Sequence, residues 1–155
     1  MDIGSGKGWP EDKLSNFPPA PFVFRSVQCA SMEGLLQALK KSSPEMQIHV
    51  CTLIGKKAKF AGKKHWQRTQ TLWWQGHEID RHSQEYQDLL DEAFEAMFAQ
   101  NESKRRALLA TGNATLTHSI GKRNPRETVL TISEFCGRLT RIRAKLQAQE
   151  RLRAK

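Results

Sequence analysis

The segment from Ser83 to Phe98 constrains this chain more than any other. Tyr86, Leu89, Leu90, Ala93, Phe94, Met97 and Phe98 recur at alternating three- and one-residue steps. At 3.6 residues per turn they line up as one continuous apolar stripe, so the segment reads as a helix with one face buried along its whole length. Ser83 stands where an N-cap is needed, its hydroxyl placed to accept from a backbone N–H of the first turn. A stripe of Phe, Met and Leu is core surface rather than a cofactor-binding box, and the other elements are expected to pack around it.

Four further helices are legible on either side. Ser31 caps one expected over Met32–Lys41, with Leu35, Leu36 and Leu39 as its buried face. Ser43-Pro44 starts a second, because proline at the first helical position loses no hydrogen bond. Met46, Val50, Leu53 and Ile54 follow at helical spacing, and Gly55 stops it. Asn101 can cap a helix that runs through Leu109 and ends at Gly112. Thr131-Ile132-Ser133-Glu134 has capping-box spacing, ahead of a face of Phe135, Leu139, Ile142 and Leu146.

Strand signal is thin. Phe22–Val27, aromatic and β-branched, is the best candidate, entered through Phe17-Pro18-Pro19-Ala20-Pro21, which cannot be helix interior. The stretch Gly62–His82 reads as loop with a short helix around Trp66. The expected fold class is mainly α: a compact single-domain helical fold with a minor β component. It divides into a flexible N-terminal arm over 1–13, a domain over 14–146, and a basic helix end or tail over 147–155.

A chain of 155 residues has the length of one domain with a real core. No run of roughly 18 apolar residues is present, so no membrane span is expected. Met1–Gly6 lacks the basic-then-apolar order of a signal peptide. Cys29, Cys51 and Cys136 are odd in number and far apart, as reduced thiols of a cytoplasmic protein would be. The 25 Lys and Arg against 16 Asp and Glu leave a net charge of +9, which attracts phosphate on a nucleotide or a nucleic acid. Lys56-Lys57-Ala58-Lys59 and Lys63-Lys64 concentrate that charge, while the arginines of the C-terminal helix fit a solvated face.

Several chemistries find no support. His49, His65, His77, His82 and His118 never stand at the i, i+4 spacing of a zinc-binding helix, and no Cys-x-x-Cys pair exists, so no metal is expected. Gly4-Ser5-Gly6-Lys7-Gly8 is glycine-rich but has no P-loop spacing and no preceding strand. No Gly-x-Ser-x-Gly elbow occurs. What remains is a carboxylate in an unusual place. Glu33 falls in the first turn of an otherwise apolar helix, where the positive end of the helix dipole favours an ionised carboxylate. Taken alone, it reads as a first-turn Glu that supports its helix.

The wider order of residues singles it out. Ser15-Asn16-Phe17 comes first, then Ser31-Met32-Glu33 with Gln37-Ala38 and Lys40, then Gly55-Lys56 and Trp66. Ala107-Leu108-Leu109-Ala110-Thr111-Gly112 follows and leads into Leu116-Thr117-His118-Ser119-Ile120-Gly121-Lys122. This ordered set resembles the NADAR (YbiA-like) family, whose name refers to NAD and ADP-ribose, over about Leu14 to Arg143. The resemblance implies a YbiA-like fold and hydrolysis of an N-glycosidic bond at a ribose carbon, with Glu33 matching the family's key glutamate and no cofactor. Ser15, Asn16 and Phe17 match the segment that lines the family's pocket, and Gln37 and Lys40 match the helix that carries the glutamate. Trp74-Gln75-Gly76, Ile79, Arg81, Ser83 and Glu85-Tyr86 resemble a block found in one branch. Many relatives carry Trp-Gly-Asp-Gly and then Asn-x-Leu-Gly where this chain reads Ser119 to Leu130. The family's second acid therefore has no fixed counterpart, and Glu127 is the available carboxylate because Glu134 is engaged in capping.

Cleaving a ribose C1–N bond develops oxocarbenium character, which a carboxylate beside the sugar stabilises while it activates water. The expected catalytic carboxylates are Glu33 and Glu127. The expected substrate-binding residues are Ser15, Asn16, Phe17, Gln37, Lys40, Gly55, Lys56, Trp66, Trp74, Arg81, Lys122 and Arg138. Trp66, Trp73 and Trp74 offer stacking surface, although Trp73 and Trp74 fit packing under a loop equally well. Lys56, Lys122 and Arg138 offer cations, the two lysines each following a glycine in a loop-like context. The expected substrate is an ADP-ribosyl conjugate, such as an ADP-ribosylated nucleobase on or off a nucleic acid, or a phosphoribosylamino-pyrimidine. Two rivals stand beside this reading. One is a module that binds ADP-ribose or NAD without cleaving it; the other is a basic nucleic-acid-binding protein using the lysine loop and the arginine-rich tail.

Overall fold

In the computed structural model, which describes residues 1–155, the chain first reverses at Arg25-Ser26. Phe22–Phe24 (β1) and Val27–Cys29 (β2) pair antiparallel there, Phe22 opposite Cys29 and Phe24 opposite Val27. Both turn residues have positive φ, 48° and 69°, the sense whose twist matches a tight hairpin. Arg25 is held in that conformation by Glu92, at 2.9 and 3.2 Å. The helices Met32–Ala38 (α1), Pro44–Cys51 (α2), Gly55–Ala61 (α3) and Trp66–Thr69 (α4) follow. Thr71–Trp74 (β3) and His77–Asp80 (β4) then form a second antiparallel hairpin through Gln75 and Gly76, at φ 47° and 85°. Gln84–Gln100 (α5), Glu102–Ala110 (α6) and Ile132–Arg153 (α7) complete the order.

Side-chain caps start the helices where the spacing predicts them. Ser31, Ser43 and Ser83 accept from Gly34, Met46 and Tyr86 N–H at 3.0, 3.2 and 3.2 Å. Thr131 and Glu134 close a full capping box at 3.1 and 2.8 Å. Asn101 differs, because its amide donates to the carbonyls of Pro21 and Met97 instead of capping α6. All seven stripe residues of α5 are 2% exposed or less. They form one core with Leu35 and Leu36 of α1, Leu39 at its C-cap, and Phe135 and Leu139 of α7. The three cysteines are free and buried.

Several expectations are corrected. The domain is α/β, with two antiparallel hairpins alongside seven helices, rather than mainly α with minor strand. The stretch read as loop between Gly62 and His82 contains α4 and the whole second hairpin, and the single strand over Phe22–Val27 is a hairpin. Strands of three or four residues are too short to display alternation, and neither turn carries an Asn-Gly or Asp-Gly signature. Gly55, read as a helix stop, opens α3, in which Ala58 is the one buried residue. The arm over 1–13 is tied down: Ile3 is fully buried, its N–H donates to Thr117 O at 2.8 Å, and Asp2 takes the Ser119 N–H and hydroxyl at 2.7 and 2.6 Å. No helix is long and apolar enough to cross a membrane.

Candidate functional site

A cleft of about 480 Å³ opens between α1, α3 and the loop that leads into α7. From α1 it receives Glu33 and Gln37, and from the turn just after it Lys40; from the segment before β1, Asn16 and Phe17; from the late loop, Lys122 and Glu127. Seven of the fourteen residues expected at the site therefore meet in one cleft, both carboxylates among them. His118, Lys59, Lys64, Gln67 and Phe60 complete its working surface. His118 belongs to the motif that carries the family resemblance, and Lys59 and Lys64 to the lysine clusters. Gln67 and Phe60 have no sequence signal of their own.

Glu33 is fixed from both ends. Its backbone N–H donates to Asn16 O at 3.1 Å, and the Gln37 amide donates to its carboxylate at 3.0 Å. Two glycines make the approach feasible. A Cβ on Gly34 would stand 2.5 Å from Leu53 O, and one on Gly62 would stand 1.8 Å from Gln37 Oε1. Burial pushes the Glu33 carboxyl above its ordinary value of 4.5, against the pull of the Gln37 amide and of Lys40, Lys59 and His118. The helix start favours the charged form, and burial outweighs it. Lys40 is lowered to about 8, chiefly by burial and then by Lys41, Lys122 and Lys64, with Glu33 opposing. An acid held up and an amine held down by burial in one cleft mark it as a candidate functional site.

Asn16 Oδ1 and Gln37 Oε1 are buried acceptors with no partner. Both residues line the cleft, so their oxygens are suited to receive ligand donors. The His118 ring nitrogen Nδ1 lies 2.7 Å from Ile3 O. A carbonyl can only accept, so Nδ1 carries the proton and Nε2 is left uncommitted.

The loop that carries Glu127 is held along its backbone. Four consecutive carbonyls, those of Arg126, Glu127, Thr128 and Val129, accept from Gln70, Gln67, Arg81 and Tyr86 at 3.0, 3.2, 3.0 and 2.5 Å. Arg81 therefore belongs to the support of the cleft, not to its surface. It is 1% exposed, forks onto Glu134 at 2.7 and 3.1 Å, and lies over the Tyr86 ring at 4.8 Å.

The other expected site residues lie elsewhere. Arg138 is buried against Asp91 at 2.9 Å and Gln87 O at 3.0 Å. Trp74 packs edge-on to Phe24 with ring centroids 5.0 Å apart, and Trp66 is 2% exposed, so both are core. Gly55 is joined to the cleft only through its N–H on Phe17 O at 3.2 Å, and Lys56 is exposed outside the lining. Ser15 stands behind the lining, its hydroxyl accepting from Phe17 N at 3.2 Å.

Lys104 completes that support. It is 1% exposed, and its ammonium donates to Ser15 O at 2.8 Å, bracing the Asn16-Phe17 segment. Burial lowers it to about 7, with Lys13 adding to the effect. A lysine lowered in the fold binds its proton more weakly there than when unfolded. Its contribution to stability is therefore complete above its ordinary value of 10.5 and shrinks as pH falls towards 7. The stability of wild type relative to Lys104→Met should rise from pH 7 to pH 10, by on the order of 1 kcal/mol per pH unit at most. Thermal melts of both proteins across that range check it, and a constant difference would mean that Lys104 ionises normally.

Comparison with known proteins adds three findings. A family model described as bacteriophage protein GP30.3 matches residues 8–144. The chain is 35% identical over 150 residues to an uncharacterized 17.1 kDa protein in the Gp30-rIII intergenic region of enterobacteria phage T4, covering 94% of this chain and 98% of that one. It is similar to the NMR structure of the E. coli protein YbiA, with a TM-score of 0.63 over 97% of this chain and 86% of that chain, at 18% identity. That likeness concerns the fold, which is YbiA-like.

Proposed function

This chain belongs to the bacteriophage protein GP30.3 family, and we propose that its cleft hydrolyses the N-glycosidic bond at ribose C1 of a phosphate-bearing nucleotide conjugate. The observation that carries this reading is the convergence of Glu33 and Glu127 with four lysines, Lys40, Lys59, Lys64 and Lys122, on one concave surface. Carboxylates serve the reacting carbon and ammonium groups serve the phosphates.

Water attacks C1 and gives a proton to the Glu33 carboxylate, while the C1–N bonding pair leaves with the base. Glu127, exposed at the edge of the cleft, relays a proton from solvent to the departing nitrogen. The oxocarbenium character develops as the C1–N bond breaks, while Glu33 is still ionised beside it and has not yet taken the proton of the attacking water. The unpartnered Asn16 and Gln37 oxygens accept from ribose hydroxyls. Phe17 and Phe60, the latter 70% exposed, take the place expected of the tryptophans as apolar surface for the base. Of the two substrate classes, an ADP-ribosyl conjugate of a nucleobase makes fuller use of four lysines than a single phosphoribosyl group does.

ADP-ribose should raise the melting temperature, since a ligand at 100 times its Kd adds about 2.7 kcal/mol to the native state. Lys122→Ala should shrink that shift, and Lys56→Ala should leave it unchanged because Lys56 stands outside the cleft. No shift at millimolar ADP-ribose or phosphoribosyl compound would overturn the reading. A shift without release of base from an ADP-ribosylated nucleobase would leave a binding module in its place.

A further inference from the structure

Beside the cleft lies a second groove of about 460 Å³ that shares Lys40 with it. Its cations are Lys40, Lys41 and Lys63, the His65 imidazole stands with them, and no carboxylate lines it. Glu78, paired with Trp73 across the hairpin, and Glu45, which accepts from the Ser43 hydroxyl at 3.1 Å, both lie outside the lining. The ion pairs of the molecule are made elsewhere and engage none of these three lysines. Glu33 faces Lys40 from the cleft side, but Lys41 and Lys63 have no carboxylate within the groove, and the fold keeps these like charges together although they repel one another.

The fold also sets an aromatic surface among them. The Trp73 N–H donates to Leu39 O at 2.9 Å, which joins β3 to the end of α1 next to Lys40 and Lys41. Trp73 is half-buried and lines the groove. Trp66 lines it too, its indole N–H buried without an acceptor. Ammonium groups beside an indole face are what a single strand requires, since cations track its phosphates while unpaired bases stack. A duplex, with its bases already stacked, would leave the indole unused.

We propose that this groove seats the phosphodiester backbone of a nucleic-acid strand whose modified nucleotide occupies the cleft. The cleft's occupant rests on the N-glycosidase reading; the groove's rests on its own residues.

The test is fluorescence anisotropy with an unmodified thymidine oligonucleotide of about twelve nucleotides, and a uridine oligonucleotide in parallel to separate DNA from RNA. Lys41→Glu combined with Lys63→Glu should weaken binding at least tenfold. It should also flatten the log–log salt slope by about 0.7 for each phosphate deprived of its lysine. Trp73→Ala should weaken binding roughly five- to hundredfold because the indole no longer stacks on a base. The thermal shift with ADP-ribose should survive in wild type and both variants, because none of these residues lines the cleft.

Wild-type affinity in the double variant would overturn the proposal. So would loss of binding only when Arg151 and Arg153 are replaced, which would place the strand on the end of α7. Equal competition by polyglutamate would reduce the groove to a general anion surface. Groove-dependent oligonucleotide binding without any ADP-ribose shift would defeat the cleft reading and leave the groove assignment standing.

Discussion

Glu33→Gln should lower nucleobase release from an ADP-ribosylated substrate by about two to four orders of magnitude, the scale of losing general acid–base catalysis. Glutamine keeps the shape and can still accept from the Gln37 amide, but it carries no charge for the oxocarbenium ion and takes no proton from water. Ligand binding should persist, because the lysines and the Asn16 and Gln37 oxygens are untouched. Stability should move in the opposite direction to activity. The helix dipole favours a charged Glu33 by roughly 0.3–1 kcal/mol, yet burial prevails and holds the carboxyl above 4.5. A carboxyl raised in the fold contributes fully below its unfolded value, and that contribution is lost as pH rises through the folded one. The variant should therefore melt at or above the wild-type temperature at neutral pH, with the gap closing below pH 4.5. Base release by chromatography and melts at pH 4 and pH 7 check both halves. Equal turnover in the two proteins would sink the catalytic assignment, and a variant that fails to fold would return Glu33 to a supporting role in its helix.

What can be read in the sequence is local. The stripe of α5 and the side-chain caps Ser31, Ser43, Ser83 and Thr131 depend on residues within one or two turns, and each stands where the spacing predicts. The hairpins are hidden because Arg25-Ser26 and Gln75-Gly76 are not signature turns, and their strands are too short for a period to emerge. The N-terminal anchor rests on the single apolar residue Ile3 in a glycine-rich stretch, which no periodicity can reveal.

The site divides in the same way. Glu33 and Gln37 lie one turn apart on α1 and Lys40 follows in the turn after it, so their spacing in the sequence already groups them. The arginines are misplaced by sequence reasoning because their charge suits phosphate and carboxylate alike. Arg81 meets Glu134 across 53 residues of chain, a distance at which composition carries no information about partners. The same holds for Gln67 and Gln70, whose amides reach carbonyls 60 and 56 residues away.

Arg81→Met should be the most damaging change outside the cleft. Removing one member of a buried, hydrogen-bonded ion pair typically costs about 3–5 kcal/mol, because the partner charge is left without compensation. For a domain of this size that corresponds to a fall in melting temperature of roughly 6–20 °C. Methionine also withdraws the donor from Thr128 O, one of the four carbonyls that position Glu127, so the thermal shift with ADP-ribose should shrink as well. The acid limb gives an independent check. Burial alone would raise the Glu134 carboxyl, but Arg81, the Thr131 N–H and Gln87 together hold it below 4.5. A carboxyl lowered in the fold supplies stability above its ordinary value and loses it as pH falls through the folded one. Wild type should therefore weaken below pH 4.5, and Arg81→Met should flatten that loss because the chief cation facing Glu134 is gone. Combining Arg81→Met with Glu134→Met should recover part of the melting temperature by removing the orphaned charge. It should not recover the ligand shift, since Thr128 O stays unpaired. A single variant that melts within a degree or two of wild type, yet binds ADP-ribose poorly, would put Arg81 on the ligand after all.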